Sequence, residues 1–317
     1  MMSTAASGVL PWLLIEASRE GVLRFATAAP SARPRVTDIQ EVLVAGLPTF
    51  TDALQRFERE RGIPLRGLQC AMAIAGAASG ETISLVRSRW TISRAGLHAV
   101  FGTDPIILND VAARAWATRS GTANLEQLRG VGIPNLSRPG RYGMIMVEEG
   151  LGAAIVDVDR DSGIRILETE AGHMDFSPTN EREERLAHAV GGSGSRAVSW
   201  EMILMLDRND PVWSQACPDM LEPERPRLQA ALLARFSINL MHSFGAWQGI
   251  MLTGTRAARI LEAGQRVHFD ASFAIRRNFS RLVIAAPAWR VDQHEAVLTG
   301  AAERLAYSLR SEVAAAA

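Results

Sequence analysis

The chain has 317 residues, in which 34 lysine and arginine residues balance 34 aspartate and glutamate residues. That length predicts about two domains, and the balanced charge predicts no nucleic-acid or membrane partner. Every basic residue is arginine, which excludes lysine Schiff-base chemistry and a P-loop lysine. Cys70 and Cys217 match neither a disulfide framework nor a metal cluster, so we expect a cytoplasmic protein.

The first third of the chain alternates strand and helix patterns. Residues 10–27 predict a strand, a polar turn and a second strand, without the basic segment of a signal peptide before the apolar run. Residues 37–62 place apolar side chains at helical spacing. A buried strand within 68–86, a helix at 93–102 and a strand at 105–110 follow. Together these patterns predict an α/β fold.

The remainder begins with a second hairpin pattern. Residues 141–158 repeat the plan of the first hairpin after about 130 residues, which indicates two similarly built halves. Their turn contains Gly150, Leu151 and Gly152, a backbone suited to phosphate, but it begins with two glutamates. Other helix patterns lie at 110–120, after a cap at Thr179 or Asn180, and at 224–247, 255–263 and 294–313, with a late strand pattern at 281–289.

Several other chemistries are not indicated. The sequence lacks the G-x-x-x-x-G-K-[ST], G-x-G-x-x-G and G-x-S-x-G motifs. His268, Asp292 and His294 are scattered and are predicted to be surface residues rather than metal ligands. We therefore expect no metal bound by a cluster of side chains.

Three segments in a fixed order carry a family resemblance. They read "IILNDVAARAWA" at 106–117, "GLGAAIVDV" at 150–158 and "LETEAGHMDFSPTNEREERL" at 167–186. These segments resemble the I-N-D-F/V, G-T-G-L-G and E-G-G-H-x-D-F-x-P motifs of the bacterial glucokinase family, sugar kinases of the actin-like ATPase superfamily. The later "GIMLTG" and "AVLTGAAERL" extend the resemblance over nearly the whole chain.

The resemblance implies a fold and an activity. It implies two ribonuclease-H-like domains around a cleft, a smaller one at 1–112 completed by 299–317 and a larger one at 113–298. It also implies phosphoryl transfer from ATP, with Mg²⁺, to the 6-hydroxyl of a glucose-like hexose. A small-molecule sugar would be the ligand, and the protein would form a homodimer.

The resemblance also assigns sugar-facing residues. Asp110 would be the general base that takes the proton from the 6-hydroxyl, and Asn109, Glu170 and His173 would bind other hydroxyls. The residue pattern leaves alternatives open. An Asn-Asp pair after a strand is also typical of a helix cap, and a lone histidine such as His173 is also typical of a protein core.

One sugar-binding glutamate of the family has no counterpart. The alignment places Ser195 at its position, and Trp200 and Glu201 replace part of the S-G-P-G turn that follows. Glu201 could compensate for the missing glutamate only if the local backbone is rebuilt. Hexose affinity or preference is therefore expected to differ.

The first nucleotide motif departs from the family pattern. The family's D-x-G-G-T-N becomes "EASREGV", in which Glu16 would replace the Mg²⁺-binding aspartate. Ala17, Ser18, Arg19 and Glu20 replace a motif that works through exposed backbone. Arg19 could hold a phosphate by another route, but a solvated turn arginine is the simpler interpretation.

Two further nucleotide contacts also depart. Gly150 and Gly152 are retained, whereas Glu148 and Glu149 stand where the family has a glycine and a threonine. A carboxylate about 4 Å from a phosphate oxygen costs roughly 4 kcal/mol at an effective dielectric near 20. At the adenine end the family has A-G-G, of which Gly254 is kept. The next residue is Thr255, which would be costly if that position needs a positive φ.

Two hypotheses follow from these patterns. The first is a glucokinase-like enzyme that uses Asp110 on a hexose. The second is a catalytically impaired homologue that binds a sugar or sugar phosphate and acts as a regulator through a partner. The sugar motifs favour the first hypothesis, and the exchanged phosphate loops favour the second.

Overall fold

The computed structural model describes residues 10–17, 21–85, 90–192, 197–262, 264–275 and 280–316. The chain divides into two compact units: unit 1 spans Met1–Ala123 and Gln293–Ala317, and unit 2 spans Asn124–Asp292. The resemblance implied domain boundaries after residue 112 and before residue 299. The structure divides the chain after Ala123 and after Asp292. Among the helices in the described ranges, none is long and apolar enough to cross a membrane.

Strands and helices alternate along the chain, as the sequence predicted. The strands are β1 (Trp12–Ala17), β2 (Val22–Ala28), β3 (Val36–Leu43), β4 (Cys70–Ile74), β5 (Thr82–Ser84), β6 (Thr91–Ser93), β7 (Ile106–Asn109), β8 (Asn124–Arg129), β9 (Gly140–Val147), β10 (Leu151–Asp159), β11 (Gly163–Thr169), β12 (Gly249–Thr253) and β13 (Ala288–Asp292). The helices are α1 (Phe50–Arg61), α2 (Arg94–Phe101), α3 (Asp110–Ala117), α4 (Glu181–Gly191), α5 (Trp200–Leu204), α6 (Pro211–Ala216), α7 (Glu224–Phe244), α8 (Thr255–Ile260), α9 (Arg266–Phe273), α10 (Ser280–Ala285) and α11 (Ala296–Ala316).

The two units share one strand order. The sheet of unit 1 has the order β3-β2-β1-β4-β7, and the sheet of unit 2 has the order β11-β10-β9-β12-β13-β8. In each, an antiparallel three-stranded meander is followed by two strands parallel to its first strand. Unit 2 adds β8, antiparallel to β13, at one edge. The internal repeat predicted from the two hairpins is therefore confirmed at the level of topology.

Helices cover both faces of the unit 1 sheet. Successive side chains of a strand point to opposite faces of the sheet. Leu13 of β1 therefore packs in the hydrophobic cluster that contains residues of α1, whereas Trp12 and Leu14 pack against α11 on the other face. Phe57 of α1 stacks on Phe25 of β2 with ring centroids 5.2 Å apart. Apolar residues on both faces explain why β1 has no polar alternation.

Two predicted elements are wrong in type. The helix predicted over 37–62 is two elements, because Val36–Leu43 pairs with β2 as an exposed edge strand and only Phe50–Arg61 is helical. The strand predicted over 281–289 begins with α10, and only Ala288–Asp292 is strand. Pro287, which cannot continue a helix, separates the two. In the first segment, pairing with β2 outweighed the local helical pattern.

Glycine allows α11 to cross α3 closely. A Cβ atom at Gly300 would overlap the carbonyl oxygen of Ala113 in α3. We expect Gly300→Ala to destabilise unit 1 by about 3 kcal/mol, because helix backbones that touch cannot move apart without losing the packing around them. Chemical unfolding monitored by circular dichroism measures this loss.

The matched control is Gly96→Ala in α2. A Cβ atom there would meet only the side chain of Ser93, at 3.7 Å, an ordinary van der Waals contact. Alanine is the better helix former, so this variant should gain up to about 1 kcal/mol. Equal stability of the Gly300→Ala protein and the wild type would show that α3 and α11 do not pack this closely.

Candidate functional site

The carboxyl edge of the unit 1 sheet holds the predicted base. β1, β4 and β7 are parallel, and their register aligns Ala17, Ile74 and Asn109. Asp110 follows as the first residue of α3 and is half-buried. Glu16 lies on the same edge, two strands from β7 and therefore about 10 Å away. Unit 1 thus brings together the predicted base and the predicted metal-binding carboxylate.

Asn109 is the N-cap of α3. Its Oδ1 accepts hydrogen bonds from the backbone N–H groups of Val111 at 2.7 Å and Ala112 at 3.1 Å. Its Nδ2 donates to the carbonyl oxygen of Gly76 at 3.4 Å. The cap alternative therefore accounts for the amide oxygen, and a sugar contact through Asn109 stays a prediction. The cap orients Asp110, because it fixes where the first turn of α3 begins.

Glu16 is held in an ion cluster around Arg24. The hairpin register places these residues opposite each other on β1 and β2, and Nη1 of Arg24 lies 2.8 Å from Oε2 of Glu16. The same guanidinium contacts Glu41 at 3.2 Å and Glu295 at 2.5 Å. Three carboxylates from three parts of unit 1 therefore share one arginine.

The pKa values of Glu16 and Arg24 are both shifted in this cluster. Burial raises the pKa of Glu16 above its usual range, against the lowering effects of Arg24 and Arg114. Burial also lowers the pKa of Arg24. The interactions of Arg24 with Glu295 and Glu16 outweigh that effect, so the pKa of Arg24 lies above its ordinary value. Glu16 thus already has a cationic partner in this chain.

The described residues offer no ready-made side-chain cluster for a divalent cation. Within the described ranges, no group of three or more histidine, cysteine, aspartate or glutamate residues is placed to hold a metal ion. Glu16, which the resemblance assigns to Mg²⁺, is engaged by a guanidinium instead. A divalent cation at this carboxylate would have to compete with Arg24.

The glycine turn of unit 2 joins β9 to β10 as predicted. The N–H of Glu148 donates to the carbonyl oxygen of Gly150 at 3.1 Å and closes the turn. Gly150 is buried, Glu148 is half-buried and Glu149 is exposed. At least one of the two acidic side chains of the turn therefore faces solvent.

A 3₁₀ turn that carries the two other sugar candidates packs against the glycine turn. A Cβ atom at Gly172 would overlap the carbonyl oxygen of Leu151. Glu170 and His173 flank this glycine, each with a side chain 60% exposed, and Nε2 of His173 lies 3.7 Å from Oε2 of Glu170. His173 is therefore not a core histidine, and both side chains can reach a ligand.

A carboxylate from outside the turn, that of Glu201 in α5, also contacts the glycine turn. Oε2 of Glu201 accepts a hydrogen bond from the backbone N–H of Leu151 at 2.8 Å. From the sequence, Glu201 could compensate for the missing sugar-binding glutamate only if the local backbone is rebuilt. In the structure it instead binds the backbone of the phosphate-type turn.

Gly254 lies against the other side of the same turn. It has a positive φ of 102°, and a Cβ atom there would overlap the carbonyl oxygen of Val147. Thr255 is the first residue of α8. The backbone cost considered for Thr255 does not arise, because the positive φ belongs to Gly254 and helical φ values suit threonine.

Each unit gathers its own part of the predicted site. Unit 1 holds Glu16, Asn109 and Asp110, and unit 2 holds Gly150, Gly152, Glu170, His173 and Gly254. Ser18, Arg19, Glu20 and Ser195 lie outside the described residues.

The sequence did not reveal the roles of Arg24 and Gly172 or the contact that Glu201 makes. Arg24 could have been found from the hairpin, because Glu16 and Arg24 face each other across a turn centred near 20. Gly172 stands within the "EAGH" motif, but its contact with Leu151 has no sequence signal. Glu201 is 50 residues from Leu151 along the chain, so only the fold reveals that contact.

Comparisons with known proteins bear on the family and the fold. A sequence model of the glucokinase family matches residues 22–205. The glucokinase of Xylella fastidiosa (strain 9a5c) is 27% identical over 312 residues, covering 88% of this chain and 90% of that relative. The structure of a glucokinase from an Antarctic psychrotroph covers 94% of this chain and 99% of its own, with 18% identity and a TM-score of 0.73. Glucokinase from Balamuthia mandrillaris, solved in complex with glucose, covers 96% of this chain and 95% of its own, with 16% identity and a TM-score of 0.72.

These likenesses establish the fold and the family. The structural matches span nearly the whole chain at low identity, so the α/β fold is that of glucokinases, with two actin-like ATPase-type domains. The matching family segment, residues 22–205, spans more than half of the chain and contains Asn109, Asp110, Glu170 and His173. The chain belongs to the glucokinase family.

Proposed function

We propose that the protein transfers a phosphoryl group from ATP to the 6-hydroxyl of a glucose-like hexose, with Asp110 as general base. The placement of Asp110 carries this proposal. It stands at the carboxyl end of a parallel strand, where α/β folds bind ligands, and Asn109 caps the helix that it begins. A carboxylate on a rigid element can take a proton in the transition state.

The proposed reaction uses few side chains of this chain. Asp110 accepts the proton of the 6-hydroxyl as that oxygen bonds to the γ-phosphorus of ATP, and the bond from that phosphorus to the ADP oxygen breaks. Glu170 and His173 are exposed and three residues apart, so they can bind vicinal hydroxyls as acceptor and donor. Such contacts would fix the orientation of a bound sugar ring on unit 2.

A second candidate is favoured by two specific contacts. Glu16 is paired with Arg24, and Glu201 occupies the N–H of Leu151. Groups that a kinase would offer to a metal ion or a phosphate therefore already have partners in this chain. The second candidate is a homologue that binds a sugar or sugar phosphate and acts as a regulator through another protein.

Titration calorimetry separates the two candidates. Wild-type protein is titrated with glucose, with other hexoses and with Mg·ATP, and ADP release is followed in parallel. Saturable ATP binding with sugar-dependent ADP release supports the kinase. Sugar binding without any response to ATP or ADP contradicts the kinase and supports the regulator.

A further inference from the structure

The N–H group of Leu151 is the first backbone donor of β10 after the glycine turn. Glycine turns present such donors to anions. Here the donor is bound 2.8 Å from a carboxylate oxygen of Glu201. The carbonyl oxygen of the same residue packs against Gly172. Leu151 is therefore held on both sides, and its N–H points at an internal anion.

Packing of the neighbouring residue delivers Glu201 to the turn. Trp200 is 2% exposed, and its ring lies 4.9 Å from that of Phe176 and 5.7 Å from that of Phe236. The N–H of Trp200 also donates to the carbonyl oxygen of Met174 at 3.0 Å. The start of α5 is thus anchored by an aromatic cluster, and the position of Glu201 does not depend on its own hydrogen bond.

A buried ion pair braces the same cluster. The guanidinium of Arg235 lies 5.2 Å and 5.1 Å from the ring centroids of Phe176 and Trp200. It is paired with Glu183 at 2.7 Å. These contacts fix the segment that carries Glu201 relative to the segment that carries the sugar candidates. Glu201 therefore reaches Leu151 from a rigid segment of the chain.

A carboxylate and a phosphate compete for such a donor. Both are anions that accept hydrogen bonds from backbone N–H groups, and both cannot occupy the N–H of Leu151 together. A carboxylate that stays at the turn also repels a polyanion placed there. Glu148 and Glu149 belong to the same turn, so Glu201 adds to an already acidic environment.

We propose that Glu201 limits the phosphate affinity of the unit 2 glycine turn, because it occupies the N–H of Leu151 and weakens binding of the polyphosphate part of a phosphate donor. The nature of that donor rests on the proposed function. The turn is therefore present in the fold but is set for weak anion binding. Removal of the carboxylate restores a free donor and lowers the negative charge.

Calorimetry with sodium tripolyphosphate tests this role in the full chain without turnover. Glu201→Gln keeps an acceptor for Leu151 but removes the charge, and Glu201→Ala also frees the N–H. We expect about tenfold tighter binding for Glu201→Gln and a larger gain for Glu201→Ala, as expected for one lost charge or charged hydrogen bond. Glu184→Gln, an exposed acid on α4 of the same unit, makes the same change of charge and should leave affinity unchanged.

The contrary outcomes are equally specific. If Glu201→Gln binds tripolyphosphate no more tightly than the wild type, or if no variant binds it, the proposal is wrong. A purely structural Glu201 would lower the melting temperature of the alanine variant without raising anion affinity. The proposed function is judged separately by ADP release from wild-type protein, so either idea can fail while the other stands.

Discussion

Replacement of Asp110 by asparagine is expected to lower sugar phosphorylation by about 10²- to 10⁴-fold, the usual contribution of a general base. The amide has nearly the shape of the carboxylate but cannot take the proton of the 6-hydroxyl. Sugar affinity should change little, because the lost proton transfer belongs to the transition state. Coupled measurement of ADP formation gives kcat and KM, and calorimetry gives the sugar Kd.

A neighbouring substitution controls for damage to α3. Asn109→Ser keeps a side-chain oxygen that can cap Val111 and Ala112, so its stability should lie within about 1 kcal/mol of the wild type. If the Asp110→Asn protein retains the wild-type kcat, Asp110 is not the base. If the Asp110→Asn protein loses activity because it no longer folds, the loss reflects damage to the start of α3 and not a missing base.

Replacement of Arg24 by methionine is expected to destabilise the protein by about 3 kcal/mol at neutral pH. Methionine keeps much of the apolar stem but leaves Glu16, Glu41 and Glu295 without their shared cation. Loss of one partner of a buried ion pair costs about 3–5 kcal/mol. The lower end applies, because the Arg24 side chain is 19% exposed. Urea unfolding followed by tryptophan fluorescence measures the change.

The effect of Arg24→Met depends on pH in a defined direction. Burial raises the pKa of Glu16 above its ordinary value of 4.5. In the wild type, the protonated form of Glu16 therefore stabilises the fold. This stabilisation is complete below pH 4.5 and is lost as pH rises through the folded-state pKa. Arg24 lowers the pKa of Glu16, so this pKa is higher still in the variant. The Glu16 part of the deficit therefore appears as pH rises through the wild-type pKa, is complete only above the pKa of the variant, and vanishes at lower pH, where Glu16 is protonated in both proteins.

Arg56→Met is the matched control for this experiment. Arg56 pairs with Glu60 on the surface of α1, where the two side chains are 47% and 40% exposed. Exposed helix pairs contribute only about 0.3–0.5 kcal/mol, so this variant should remain close to the wild type. An Arg24→Met protein as stable as Arg56→Met, at neutral pH, would show that the cluster around Glu16 is not held by Arg24.

The phosphate-type hairpins of the two units have different internal partners. In unit 1 a cation, Arg24, pairs with the carboxylate that the resemblance assigns to Mg²⁺. In unit 2 an anion, Glu201, pairs with a backbone donor that faces the turn. Each partner carries the charge of the ligand that it would replace. If the proposed function holds, binding of a phosphate donor with Mg²⁺ would require exchange of these contacts, which the Arg24 and Glu201 variants test separately.

The sequence by itself determined much of the fold and the family. The two hairpins, the strand before Asp110 and the helix after Asn180 depend on local periodicity, glycine turns and capping residues. Their order along the chain sufficed for the resemblance to glucokinases. Local patterns failed where a neighbouring strand decided the structure, as at the edge strand Val36–Leu43. That pairing energy comes from β2, which no window over those residues contains.

The tertiary structure alone decided which groups are engaged. The acidic turn at Glu148 was evident in the sequence, but the carboxylate that binds its backbone comes from Glu201, 50 residues beyond Leu151. The role of Asn109 as a cap rather than a free amide also depended on geometry. Hydrogen bonds and ion pairs form between atoms that are close in space, and chain folding brings those atoms together from distant positions. Residue types therefore indicated the family, whereas their partners emerged only from the fold.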